Sequence, residues 1–387
     1  MKGSTEQKPL RILLVLTGGT IGTVIGEDGM RRLPEEDGWE PMLIRALRER
    51  APELLLDVKV RVPYQVLSEH MTPDHLEKLA ACLREEDLTQ YDGVFVTHGS
   101  DTLAYTAAYL GELMQGCPIP VFLLATQRPL EDPENNGVEN TLAAAELLQE
   151  TVAGGQTEYS WKEGRVIPDG PKPDTTAISR GEKRDETAIP DGMTEGISPV
   201  YIPYRNSDGV MYLHRAEELR QCRPGTDDFF SDGMRALERT TGSYHWPEGW
   251  GETKTAEGAV TGITEDTAPP VGCGSVTGPL DWRVPSISLT PDVLMLHPYV
   301  GIRYDCISLK GVRAVLHTLY HSSTAPKELA GFLDHCKEAG VPCYILPCDP
   351  ENYHYDTTAE LLTHGAIPLS GMTEERAYMR LLLRKEM

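Results

Sequence analysis

Thr20 follows two adjacent glycines in "ILLVLTGGTIGT", residues 12–23, and Ser100 and Asp101 lie in "THGSDT", residues 97–102. Each segment trails a short apolar run, so both are expected at the carboxyl end of a buried strand. Two hydroxyls and a carboxylate in one cleft suit acyl transfer on a small anionic substrate. A hydroxyl is a weak nucleophile until a neighbour takes its proton, and backbone N–H groups at a helix N-terminus hold a carboxylate or an oxyanion. The same residue types before a helix are also ordinary N-caps, and spacing alone leaves both readings open. Glycines 18, 19 and 22 do not fit the dinucleotide spacing G-x-G-x-x-G, and "HGSDT" is not the G-x-S-x-G elbow of α/β-hydrolases.

Loops of this kind need strands to carry them. The sequence predicts strands at 11–16, near 57–66, at 93–97 and at 119–125, alternating with helices near 39–51, 73–86, 102–115 and 139–150. Such alternation reads as α/β, a doubly wound, mostly parallel sheet. We expect a larger N-terminal domain over 1–240, interrupted by an irregular insertion at 155–205 that is rich in Pro, Gly, Asp and Thr. An interdomain linker is expected over 241–290, then a smaller C-terminal α/β domain over 291–387 with helices at 326–339, 356–364 and 373–385.

The 387 residues carry 36 Lys and Arg against 59 Asp and Glu, a formal charge of -23 that opposes nucleic-acid and anionic-membrane partners. The apolar run Ile12–Leu16 is too short for a signal core or a membrane span, so a cytoplasmic protein is expected. Eight cysteines scattered through predicted helices and strands read as reduced thiols, with Cys343 and Cys348 in a buried strand. His354 has no spacing partner, and neither a metal nor a cofactor is expected.

In order, "TGGTIG" and, about eighty residues on, "HGSDT" resemble the signatures TGGTI and HGTDT of the bacterial L-asparaginase/glutaminase family, most of all its cytoplasmic type I branch. "LSEHMTPDHL", "YDGVFVTHGSDTLAYTAAYL" and "ATQRPLEDPENNGVENTLAAAELL" extend the likeness, and "HPYVG", "LYHSSTAP" and "HGAIPLSGMTEERAYMRLLL" carry it toward the C-terminus. The resemblance implies an asparaginase-like fold and an amidohydrolase acting on asparagine or a substituted asparagine-like amide. In that chemistry a threonine attacks the side-chain amide carbon, ammonia leaves, and water hydrolyses the ester. Thr20 then stands at the nucleophile, Ser68 at the residue holding the substrate α-carboxylate, and Asp101 at the one binding the α-amino group, with Gly99 beside them.

Three family positions are altered. Ser100 replaces a second threonine, Met30 stands where a mobile lid carries a tyrosine, and Arg220 stands where a lysine would be. Arginine stays protonated, so Arg220 is expected to anchor Asp101 but not to act as a base. Thr324 sits where a neighbouring subunit supplies an asparagine, and the resemblance implies a homodimer or homotetramer with shared sites. His98 reads as a buried structural histidine and His70 as structural or exposed. Two rival readings are a weak or inactive homologue that binds an amino acid as sensor or partner, and an amidase subunit of a tRNA-dependent amidotransferase. The second ranks last because no tRNA-facing domain or basic surface is evident.

Overall fold

In Leu10–Val15 (β1) successive side chains alternate between two apolar layers. Ile12 and Leu14 pack with Phe95, Phe122 and Leu124, whereas Leu13 and Val15 pack with Val94, Val96 and Leu123. A strand apolar on both faces needs helices over each. The computed structural model supplies them; it describes residues 8–22, 24–25, 31–32, 40–153, 198–240, 242–247, 282–349 and 355–383. Glu40–Arg50 (α1) follows β1, then Leu56–Arg61 (β2), Pro73–Arg84 (α2), Gly93–Thr97 (β3), Leu103–Leu113 (α3), Val121–Leu124 (β4) and Gly137–Ala153 (α4). Helices α1 and α4 cover one face of the sheet, α2 and α3 the other. Each fully buried Leu, Val, Ile or Phe in these layers contributes about 1.5–3 kcal/mol.

Val200–Arg205 (β5), Met211–Arg215 (β6) and Arg235–Ala236 (β7) complete a seven-stranded sheet of order β2-β1-β3-β4-β5-β6-β7. Its first five strands are parallel, and β6 pairs antiparallel with both β5 and β7. The chain steps from β1 to β2 on one side and returns to β3 on the other, so the order reverses between β1 and β3. In open α/β sheets the crevice at the carboxyl ends of such strands is where ligands bind.

The two segments expected to be irregular are packed at their described ends. The span 155–205 ends in β5, the strand-like "PVYIPY" that follows the irregular run 155–198, and its residues 200–204 are all buried against β4 and β6. Pro203 is tolerated there because the ladder to β4 involves only Val200 and Tyr201. The linker placed over 241–290 is packed at both described ends. Tyr244 N–H donates to Glu146 and Trp246 Nε1 to the Leu147 carbonyl of α4, while Arg84 of α2 donates to the carbonyls of Val284 and Pro285. The remainder of both segments lies outside the described residues.

A second sheet, parallel throughout, has the order Val293–Leu296 (β8), Ala314–Thr318 (β9), Cys343–Leu346 (β10) and Ile367–Pro368 (β11). Leu329–Glu338 (α5) and Asp356–Thr363 (α6) pack on it around Val315, Phe332 and Ile345. Glu374–Leu383 (α7) then returns to the first sheet and lies along α3. Arg376 Nε sits 2.7 Å from Glu112, a buried carboxylate on α3. Cys343 and Cys348 are buried, and every described cysteine is a free thiol.

Candidate active site

Three turns meet at the reversal point. Thr17, just past β1, donates from its N–H to Thr97 Oγ1 at 3.2 Å and from its hydroxyl to the Thr97 carbonyl at 2.5 Å, locking the ends of β1 and β3 together. Gly19 N–H donates to the Val66 carbonyl and Val66 N–H to the Thr17 carbonyl, so the turn after β2 docks on the same spot. Strand β2, expected to run to residue 66, stops at Arg61. Pro63 has no N–H to give a ladder, and this frees Val66 for the bridge with Gly18.

The glycines are what allow contact. Gly19 has φ +76°, and a Cβ there would collide with the backbone nitrogen of Gly99. A Cβ on Gly99 would collide with Ser68 Oγ. The turn bearing Thr20 therefore stacks backbone to backbone on the turn bearing Ser100–Asp101, whose Gly99 lies against the Ser68 side chain. Ser68 is buried, and its Oγ accepts from Asp101 N–H at 3.3 Å while its carbonyl accepts from Thr102 Oγ1 at 3.0 Å. Thr20 opens a one-turn 3-10 helix, Thr20–Gly22, and is half-buried.

Capping does not occupy the second turn. Helix α3 starts at Leu103 with no side-chain cap, since Thr102 spends its hydroxyl on Ser68. Neither the Ser100 hydroxyl nor the Asp101 carboxylate makes a side-chain hydrogen bond among the described residues, and Asp101 is exposed. Neither is bound to its own helix.

His98 is buried between β3 and α3. Its Nδ1 is 2.8 Å from the Gly99 carbonyl and must donate, which leaves Nε2 to accept from Thr106 Oγ1, also at 2.8 Å. Burial pushes its pKa down to about 4, so it is a neutral brace for the Gly99 carbonyl. Burial likewise lowers His214 to about 3 and His317 to about 4. The unfolded chain binds these protons first, near the ordinary value of 6.5, so stability should fall as pH drops from there toward 4. Denaturant titrations at about pH 7 and 5 check the sign. Equal or greater stability at the lower pH would mean that Glu217 and Glu375, which burial pushes up and which favour the folded state on acidification, outweigh the histidines.

Arg220 does not anchor Asp101. Its guanidinium forks onto Asp232, with Nη2 2.9 Å from Oδ2, and both side chains are exposed. The next residue takes its place. Gln221 Nε2 donates to the Asp101 carbonyl at 2.7 Å, and Gln221 N–H donates to Glu375 at 2.9 Å at the start of α7. Nothing in the sequence marks this glutamine, because its partners lie 120 and 154 positions away. Thr106 carries no sequence signal either, being one hydroxyl in an apolar helix.

Thr324 closes a turn with Tyr320 beyond β9 in the second sheet and is not among these contacts, and His70 is exposed. Met30 and His354 lie outside the described residues, and no cluster of metal-binding side chains occurs among those described. Among them, too, no helix is long and apolar enough to cross a membrane.

Residues 11–157 match the family model for the asparaginase N-terminal domain. Curated relatives include a subunit of the glutamyl-tRNA(Gln) amidotransferase of Halobacterium salinarum, 32% identical over 142 residues, covering 37% of this chain and 32% of that one. The corresponding amidotransferase subunit of Methanosarcina mazei is 36% identical over 104 residues, covering 26% and 24%. The chain thus spans a third or less of these relatives' length. Among solved structures, the thermostable L-asparaginase of Thermococcus kodakarensis superposes with a TM-score of 0.61 at 17% identity, over 97% of this chain and 92% of that one. L-asparaginase I of Vibrio cholerae gives 0.62 at 21% identity over the same shares.

Proposed function

We propose that the chain hydrolyses the side-chain amide of asparagine or an asparagine-like substrate, a reading supported by the match of residues 11–157 to the asparaginase N-terminal model and by the likeness of the fold to solved L-asparaginases. The observation that carries this reading is the backbone contact of Gly19 with Gly99, which sets the turn that continues into Thr20 against the turn that continues into Ser100 and Asp101. In the proposed reaction Thr20 Oγ attacks the amide carbon while its proton passes through Ser100 toward the departing nitrogen. Ammonia leaves, an ester remains on Thr20, and water cleaves it to the carboxylate and the free hydroxyl. Ser68 binds the substrate carboxylate and Asp101 its ammonium group, within a homodimer or homotetramer in the cytoplasm.

Among the described residues, the cation expected beside Asp101 is turned elsewhere. With Arg220 held by Asp232, the Asp101 carboxylate keeps its charge for the substrate, and Gln221 fixes only the backbone beneath it. Such a site favours substrates that bring their own positive charge.

A second reading rests on the relatives' name. If this chain is an amidotransferase subunit, the ammonia it frees passes to a partner rather than to solution. Ammonia release from asparagine, glutamine, N-substituted asparagines and β-aspartyl peptides separates the cases. Turnover of at least one substrate by the purified chain, unchanged by chelator, is expected. Release only after a partner is added would favour the subunit reading. Calorimetric binding without release would favour a sensor.

A further inference from the structure

A cavity of about 320 Å³ lies beside the Ser100–Thr102 turn, where α2, α3, β8 and α7 meet. Its wall is mostly apolar, with Met71, Met295 and Met379 around Tyr105 and Tyr378, and none of its lining residues is charged. The two tyrosine rings meet edge to face at 5.9 Å. Thioether sulfurs and ring edges together form a surface suited to a planar aromatic ring. An uncharged wall makes burial of an ionic ligand costly.

One polar group in this wall is poorly satisfied. The Tyr105 hydroxyl has Met295 Sδ, at 4.0 Å, as its hydrogen-bond partner, and a thioether is a weak acceptor. Burial pushes the Tyr105 pKa up to about 12, so the hydroxyl remains a donor at neutral pH. Two further lining hydroxyls connect the cavity to the candidate site. Thr102 Oγ1 donates to the Ser68 carbonyl, and Thr106 Oγ1 donates to His98, which braces Gly99.

We propose that this cavity binds a neutral aromatic small molecule bearing one hydrogen-bond acceptor, seated on Tyr105 and sensed at Ser68 through Thr102. The volume lies at the lower end of small-molecule sites. The proposal does not depend on the amide reaction, and its test uses no turnover.

Acetophenone, an aromatic ketone, is the probe, titrated into the full chain carrying methyl-labelled methionine and ¹⁵N. Among the 12 methionines, the methyls of Met71, Met295 and Met379 should shift saturably, and the Asp101 amide should move with the same midpoint. Tyr105→Phe should weaken binding about fivefold, the fold-change of one hydrogen bond. Leu382→Trp, or Val293→Phe if the first misfolds, should abolish the shifts while distant Met211 keeps its position. The proposal is overturned if wild type shows no saturable shift up to the solubility limit, or if the shifts survive in the filled variants. Equal affinity for toluene in wild type would overturn the hydrogen-bond role of Tyr105.

Discussion

Thr20→Val is expected to lower kcat on the best amide substrate by about a thousandfold or more, with the protein still folded. Valine keeps the branching and nearly the volume of threonine, so the turn Thr20–Gly22, in which Thr20 itself is half-buried, should retain its shape while losing its one attacking oxygen. A hydroxyl that served only structure would behave in the opposite way. Its loss would cost about 1 kcal/mol of stability and leave the rate nearly intact. Steady-state kinetics and a denaturant titration on the same sample distinguish the two, and a near-normal kcat would exclude Thr20 as nucleophile.

Gly19→Ala should be nearly as damaging, by another route. The φ of +76° disfavours any L side chain, and the new Cβ would press into the Gly99 backbone, which has no rotamer with which to yield. The turns must part, so loss of measurable activity is expected together with about 2–5 kcal/mol of stability from strain and overpacking. Gly209→Ala is the control. It shares a positive φ of +80° but faces open space, so its cost should stay near 1 kcal/mol and its activity near normal. Equal effects at the two positions would mean that strain alone, and not the Gly19–Gly99 contact, governs the first.

What could be read in the sequence follows from how local each signal is. The run Ile12–Leu16 with Gly18 and Gly19 announces a buried strand and a tight turn, because strand burial and positive φ are written in consecutive residues. The paired signatures locate the two principal turns of the site for the same reason. Arg220 shows where such reasoning stops. An ungapped run places it at the family's lysine, yet whether its guanidinium reaches Asp101 or Asp232 depends on the turn that brings Asp232 back beside it. Gln221, Glu375 and Thr106 were invisible because their roles exist only once α7 and α3 are packed. Similarly, the sequence shows that β2 is followed by Pro63, but not that the chain beyond it returns to pair Val66 with Gly18.

Above all, the acyl group of the substrate is expected to rest on Thr20 during turnover. Rapid acid quenching of wild type with its best substrate, followed by peptide mass mapping, examines that directly, since an ester survives acid while a non-covalent complex does not. The acyl group is expected on the peptide containing Thr20 and on no other. An acyl group on the peptide containing Ser100, or full-rate ammonia release with every peptide unmodified, would contradict it.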